Sequence, residues 1–205
     1  SIKDNLIKEL INRIKQTFGE NFDNTFDITA IVNEKNFNRL IELIKENTII
    51  YGGNYDRKNR YIFPTIIDNP EMNSNIMKEE IFGPILPVLS FKKLEEVDNI
   101  INKNPNPLAL YVFSNNKKFT KTVVNRYSFG GGAINDTIIH LANPRLPFGG
   151  IGKSGIGSYH GKLSFELFSH KKSIVSKSTW FDNNLRYPPY KNKLSLVRKL
   201  MKFLG

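Results

Sequence analysis

One segment limits what this chain can become. Leu146-Pro147-Phe148-Gly149-Gly150-Ile151-Gly152-Lys153-Ser154-Gly155-Ile156-Gly157-Ser158-Tyr159-His160-Gly161 packs six glycines, two aromatics and a histidine into sixteen residues. Glycine loses more backbone freedom on folding than any other residue. Such density therefore calls for a backbone that turns sharply or runs close to a ligand or to another backbone. The segment nearly matches two phosphate-binding patterns and fails both. Where the P-loop requires its first glycine, this chain has Pro147, which has no N–H to offer a phosphate. Gly150, Gly152 and Gly155 satisfy G-x-G-x-x-G, but Leu141–Pro147 before them holds two prolines and no strand pattern. A glycine-rich surface turn is the simpler reading.

Composition excludes several function classes. A length of 205 residues with 40% hydrophobic content supports one substantial core and one or two domains. The chain begins at Ser1 without methionine, as a fragment or processed chain would, and shows no secretory signal. It has no cysteine, so it contains no disulfide, thiolate metal site or cysteine nucleophile. His140, His160 and His170 are spaced too irregularly for a helical metal pair, and no metal is expected. The net charge of +11 would suit nucleic acid or an anionic membrane. The lysines are scattered, however, and no nucleic-acid motif accompanies them, so nucleic acid is not an expected partner.

Hydrophobic periodicity alternates between the two regular structures. Helices are expected over Lys3–Thr17, Asn33–Ile44, Leu94–Ile101, Lys117–Tyr127 and Leu163–Phe168, with a polar loop before Asn33. Strands are expected at Thr48–Tyr51, Tyr61–Ile67, Ile85–Phe91, Leu108–Phe113, Gly130–Ile134 and Ser173–Lys177, with Pro64 marking an edge or bulge. This alternation argues for an α/β fold with a mostly parallel sheet flanked by helices. Beyond Phe181 the character changes. Arg186-Tyr187-Pro188-Pro189-Tyr190 cannot continue a sheet, and Leu194–Leu204 reads as an amphipathic helix. Arg198, Lys199 and Lys202 share one of its faces with Ser195. Leu194, Val197, Leu200, Met201 and Leu204 occupy the other.

Several runs, in this order, resemble one family. They are Lys78-Glu79-Glu80-Ile81-Phe82-Gly83-Pro84-Ile85-Leu86-Pro87, then Pro107–Ser114, then Gly131-Gly132-Ala133-Ile134-Asn135-Asp136. The glycine-rich segment follows, then Phe165–Lys172 and Arg186–Pro189. Together they resemble the NAD(P)-dependent aldehyde dehydrogenases, most closely the class 3 branch. The resemblance implies the C-terminal two-fifths or so of such an enzyme. The expected divisions are a partial catalytic domain over 1–172, an oligomerisation strand at 173–182 and a basic tail from 183 to 205. In that family a cysteine attacks the aldehyde, hydride passes to the cofactor, and a glutamate-activated water releases the acid from the thioester. An asparagine amide and a backbone N–H stabilise the oxyanion. The resemblance places the cofactor domain, the cysteine, the glutamate base and the oxyanion asparagine upstream of this chain, so the chain alone is expected to be inactive.

The resemblance also assigns roles residue by residue. Glu80 matches the glutamate that accepts hydrogen bonds from the nicotinamide ribose of NAD or NADP. Phe82 matches the aromatic packed beside that ribose and ring, and Glu79 is structural. Asn135 matches an asparagine close to the reactive thiol, Phe148 the aromatic wall of the substrate funnel, and His160 a histidine near the funnel mouth. Ser173–Lys177 resembles the strand that pairs across the family's dimer. An apolar aldehyde, fatty or aromatic, is the expected substrate, and a homodimer the expected assembly of the parent enzyme. The expected location is the cytoplasm, with peripheral membrane contact through Leu194–Leu204 or docking of that helix over the funnel. A non-catalytic interaction module derived from the same fold is the competing reading.

Overall fold

The computed structural model describes residues 2–19, 28–190 and 193–204. Contacts divide the chain into two units, 1–160 and 161–205. In the first unit, α1 (Lys3–Phe18) is followed by α2 (Glu34–Lys45). The polar loop expected before Asn33 falls largely on residues outside the described ones. Asn33 ends that loop by capping α2, its side chain accepting from the Asn36 N–H at 2.9 Å. Phe37, Leu40, Ile41, Leu43 and Ile44 recur at helical spacing, and all are buried.

That apolar stripe packs with β-structure. The short strands are β1 (Ile49–Tyr51), β2 (Tyr55–Asp56), β3 (Tyr61–Ile62), β4 (Thr65–Asp68) and β5 (Ile85–Val88). β4 is the centre of a three-stranded sheet, antiparallel to β1 and parallel to β5. β2 and β3 form a separate antiparallel ladder. Ile62, Ile67, Ile76 and Ile85 join the α2 stripe in one core cluster. The strand expected over Tyr61–Ile67 is interrupted at Phe63-Pro64, because proline offers no ladder N–H. The Thr65 hydroxyl bridges this break, accepting from the Gly53 N–H at 2.9 Å and donating to the Phe63 carbonyl at 2.7 Å.

The remaining elements of this unit are α3 (Leu94–Lys103), β6 (Ala109–Val112), α4 (Lys117–Arg126), β7 (Gly131–Ile134) and α5 (Ile139–Ala142). The Glu96 carboxylate caps α3 from within, accepting from the N–H groups of Lys92 and Lys93 at 3.3 and 3.2 Å. β6 and β7 pair in parallel, joined by α4 as a crossover. The fold is α/β, as expected. Its ladders are mixed: β4–β5 and β6–β7 run parallel, while β1–β4 and β2–β3 run antiparallel.

The second unit contains α6 (Gly161–Leu167) and α7 (Leu194–Leu204). Both expected helices are present, although the side chain of Leu204 lies outside the described residues. No strand forms at Ser173–Lys177 in the single chain, in contrast to the expected strand. No ladder partner for this segment occurs among the described residues, and Ile174 and Val175 are exposed.

One ion pair ties α3 to α4. Arg126 Nε donates to Asp98 Oδ1 at 2.7 Å, Nη2 donates to Oδ2, and the Tyr127 hydroxyl donates to Oδ1 at 2.9 Å. The Arg126 hydrogen bond, followed by that from Tyr127, holds the Asp98 carboxyl below its ordinary value of 3.8. A depressed carboxyl pKa gives stability that is complete above the unfolded value and lost as pH falls through the folded one. The protection of α4 amides, taken relative to their intrinsic exchange rates, is therefore expected to fall as pH drops below 3.8. Asp98→Asn should abolish most of that acid dependence, and an unchanged acid limb in the variant would show that the pair does not couple the helices.

Candidate functional site

Three of the five candidate residues adopt left-handed backbone that non-glycine residues rarely tolerate. Phe82 has φ +49°, Asn135 +57° and His160 +109°. Each such conformation costs on the order of 1–3 kcal/mol and persists only where the surroundings enforce it. Strain of this kind marks places where side-chain direction matters.

The first site is the loop between the short 3₁₀ turn Asn75–Met77 and β5. Glu80 and Phe82 are both solvent-facing, and Phe82 is 82% exposed. Among the described residues no hydrogen bond engages the Glu80 carboxylate, so its oxygens can accept from a diol. An exposed aromatic beside an open carboxylate suits a nicotinamide ribose, and these residues fit such a group. Phe82 also lines an apolar groove of about 680 Å³ with Phe18, Ile31, Val32 and Pro84. The groove contains none of the other four candidates. It is therefore weaker evidence of a site than the strained loop itself.

The loop is fastened from α2. Arg39 Nη1 donates to Glu79 Oε1 at 2.8 Å and to the Glu80 carbonyl at 3.4 Å, and Nη2 donates to the Ile81 carbonyl at 2.7 Å. Behind it, a Cβ placed on Gly83 would lie 2.6 Å from Leu40 Cδ1. Sequence reasoning passed over Arg39. On a helical wheel it is an ordinary charge beside an apolar stripe, and nothing local shows what it reaches.

A second cluster forms around the parallel pair β6–β7. Ligands of open α/β sheets bind beyond the carboxyl ends of such strands. Asn135 lies immediately after β7, where its side chain accepts from the Ser114 N–H at 2.8 Å and donates to the Ser114 carbonyl at 3.2 Å. It thus joins the chain exits of β6 and β7. Phe148 stacks on His160 with centroids 5.9 Å apart, meets Tyr159 edge-on, and lies 6.0 Å from His140. His140 in turn meets Tyr111 of β6 edge-on. His140 is 7% exposed, and neither ring nitrogen has a hydrogen-bond partner among the described residues. Sequence reasoning considered this histidine only as a metal ligand and missed its place between Tyr111 and Phe148.

The glycine density now has a local cause. Phe148 and Tyr159 exchange backbone hydrogen bonds of 2.9 Å in each direction, pinching 149–158 into a closed loop. Inside the pinch, a Cβ on Gly149 would lie 2.1 Å from the Gly157 carbonyl oxygen, and one on Gly150 would lie 2.2 Å from that of Ser154. The segment contacts itself, and the pinch sets Phe148 beside His160. Residues 152–154 form only a short 3₁₀ turn, so the strand-to-helix setting of a dinucleotide fingerprint is absent.

The structure therefore leaves Glu80 and Phe82 exposed on one loop and brings Phe148 and His160 together, with Asn135 bracing the strand ends. The aldehyde dehydrogenase family model matches residues 1–174. The chain belongs to the aldehyde dehydrogenase family. It is 47% identical to a 4,4'-diaponeurosporen-aldehyde dehydrogenase of Staphylococcus aureus, covering 98% of this chain and 44% of the relative. It is 42% identical to a dimeric, NADP-preferring aldehyde dehydrogenase of the mouse, covering 95% of this chain and 43% of the relative. Class 3 members are among these relatives. Among solved structures, the substrate-bound state of Staphylococcus aureus AldH superposes with a TM-score of 0.89 at 46% identity, covering 98% of this chain and 44% of that one. This aldehyde dehydrogenase chain thus spans less than half the length of the relatives it matches.

The Asn135 bracket is testable by stability. Asn135→Gly keeps the left-handed backbone but loses both hydrogen bonds, at about 1 kcal/mol for a typical net bond. Asn135→Ala adds the left-handed strain of roughly another 1 kcal/mol or more. Denaturant midpoints should fall in the order Asn, Gly, Ala. Equal midpoints for all three would mean that the bracket adds nothing to stability.

Proposed function

We propose that this chain is the C-terminal part of the catalytic domain of an NAD(P)-dependent aldehyde dehydrogenase. The proposed enzyme oxidises an apolar aldehyde, fatty or aromatic, to the carboxylic acid through a thioester on a cysteine outside this chain. The observation that carries the reading is the strained loop that leaves Glu80 and Phe82, two residues apart, both exposed, in a chain of this family. Bound nicotinamide supplies the acceptor for the aldehyde hydride. Glu80 orients the ribose by accepting from its hydroxyls, and Phe82 offers an apolar edge beside it. Phe148, held by its bridge to Tyr159, forms an apolar wall for the substrate, with His160 alongside. Overall, the aldehyde and water give the acid, with a hydride leaving to the cofactor and a proton to solvent.

The test is Glu80→Gln in a polypeptide of full family length carrying this chain. Single-turnover hydride transfer should slow, because a small misplacement of the reacting centre can cost up to about a hundredfold in rate. The isolated chain, which lacks a thiol, should give no turnover with NAD or NADP and medium-chain or aromatic aldehydes. A wild-type hydride rate in Glu80→Gln, or turnover by the isolated chain, overturns the reading.

Two partner proposals concern the second unit. The mouse relative is named dimeric. A second copy pairing along Ser173–Lys177 would supply the ladder that one chain lacks and cover Ile174 and Val175, which are 76% and 92% exposed. Helix α7 carries Arg198, Lys199 and Lys202, with Leu194, Leu200 and Met201 exposed as well. No helix among the described residues is long and apolar enough to cross a membrane. For α7 we propose peripheral contact with anionic lipid, each basic residue adding about 1 kcal/mol near the surface. Co-sedimentation with phosphatidylserine vesicles should be weak, salt-sensitive and lost on neutralising the three basic residues. Sedimentation indifferent to salt and to those substitutions would eliminate lipid contact.

A further inference from the structure

We propose that Arg39 is the positioning residue of the nicotinamide loop, its guanidinium holding the main chain of Glu80 and Ile81 so that Glu80 and Phe82 face the cofactor. The proposal rests on the reading of Glu80 given above and extends it to a residue with no contact of its own to ribose. Three observations carry it. First, the guanidinium spans three acceptors: Glu79 Oε1 at 2.8 Å, the Glu80 carbonyl at 3.4 Å and the Ile81 carbonyl at 2.7 Å. A planar fork can hold separate acceptors with its two terminal nitrogens, which a lysine ammonium does with less geometric control. Second, the next residue of the helix, Leu40, is fully buried and abuts Gly83, where a Cβ would lie 2.6 Å from its Cδ1. Consecutive residues of α2 thus fix the chain on both sides of Phe82. Third, Phe82 between them keeps φ +49° while 82% exposed. Such a conformation relaxes unless its flanks are held.

The competing explanation is an ordinary surface ion pair between Arg39 and Glu79, whose side chains are 28% and 42% exposed. Pairs of that kind contribute little. The two explanations part at the carbonyls. An ion pair needs only Glu79, whereas positioning needs the bonds to Glu80 and Ile81.

The experiment uses a polypeptide of full family length carrying this chain. It compares Arg39→Met, Arg39→Lys, Glu79→Gln, Glu80→Gln and the pair Arg39→Met with Glu80→Gln. Single-turnover hydride transfer is followed by nicotinamide absorbance, with ordinary and deuterated aldehyde. Arg39→Met should slow hydride transfer roughly tenfold or more and raise the deuterium isotope effect on kcat, leaving the aldehyde KM close to wild type. Arg39→Lys should recover part of the rate, and Glu79→Gln should slow transfer less than Arg39→Met does. The double variant should be slowed by less than the product of the two single effects, since Arg39 acts in part through the Glu80 carboxylate. A wild-type hydride rate and isotope effect in Arg39→Met, beside a slow Glu80→Gln, overturns the proposal and leaves the Glu80 reading standing. Fully additive effects in the pair overturn it as well. A silent Glu80→Gln with a slow Arg39→Met refutes the Glu80 reading instead and leaves the clamp acting through Phe82. Should Arg39→Met fail to fold, Arg39→Lys decides, and a wild-type hydride rate in that variant overturns the clamp.

Discussion

Burial of one face of α2 is the interaction on which the first unit depends. Phe37 and Leu40 are completely inaccessible, and Ile41, Leu43 and Ile44 nearly so, packed with Ile62, Ile67, Ile76 and Ile85. Fully burying a large apolar side chain is worth about 1.5–3 kcal/mol, so this stripe outweighs the exposed ion pairs of the surface. The same helix carries Arg39 at the edge of its buried face. The residue that meets the candidate cofactor loop is therefore mounted on a helix anchored by five buried side chains. Sites on rigid elements hold their geometry better than sites on loops alone.

Backbone strain and packing complement one another. Phe82, Asn135 and His160 each occupy a left-handed conformation. Each has a visible restraint nearby: the α2 clamp for Phe82, the Ser114 carbonyl and N–H for Asn135, and the Phe148–Tyr159 bridge for His160. Each restraint includes hydrogen bonds to main-chain groups, whose directionality fixes where a side chain points. Apolar packing stabilises the unit without giving that directional control.

The second unit behaves differently. Phe168, Val175, Trp180 and Phe203 are each at least 87% exposed. Its ion pairs, such as Glu166 with Lys171 at 3.2 Å, lie at the surface and contribute little. Exposed apolar surface of this kind is the sort that interaction partners cover. That fits the dimer pairing and lipid contact proposed for it.

The amino-acid sequence already set the kind and order of the elements. Apolar spacing marked α1, α2, α3 and α4 and most strands to within a few residues, because those patterns are local and repeat with the helix or strand period. It also determined the absence of a thiol, and its motifs pointed to the family and to Glu80, Phe82, Asn135, Phe148 and His160. How the strands pair emerged on folding. Although Pro64 itself marked an irregularity in its strand, register and direction depend on which distant segments meet, so the antiparallel place of β1 was not legible. The same is true of Arg39 and His140. Arg39 lies forty residues before Glu79 in sequence, and its role exists only through carbonyls that folding brings to it. His140 acquires its setting from Tyr111 and Phe148, on either side of it in the chain. Ser173–Lys177 has strand composition, but a strand is completed by a neighbour, and composition cannot supply one.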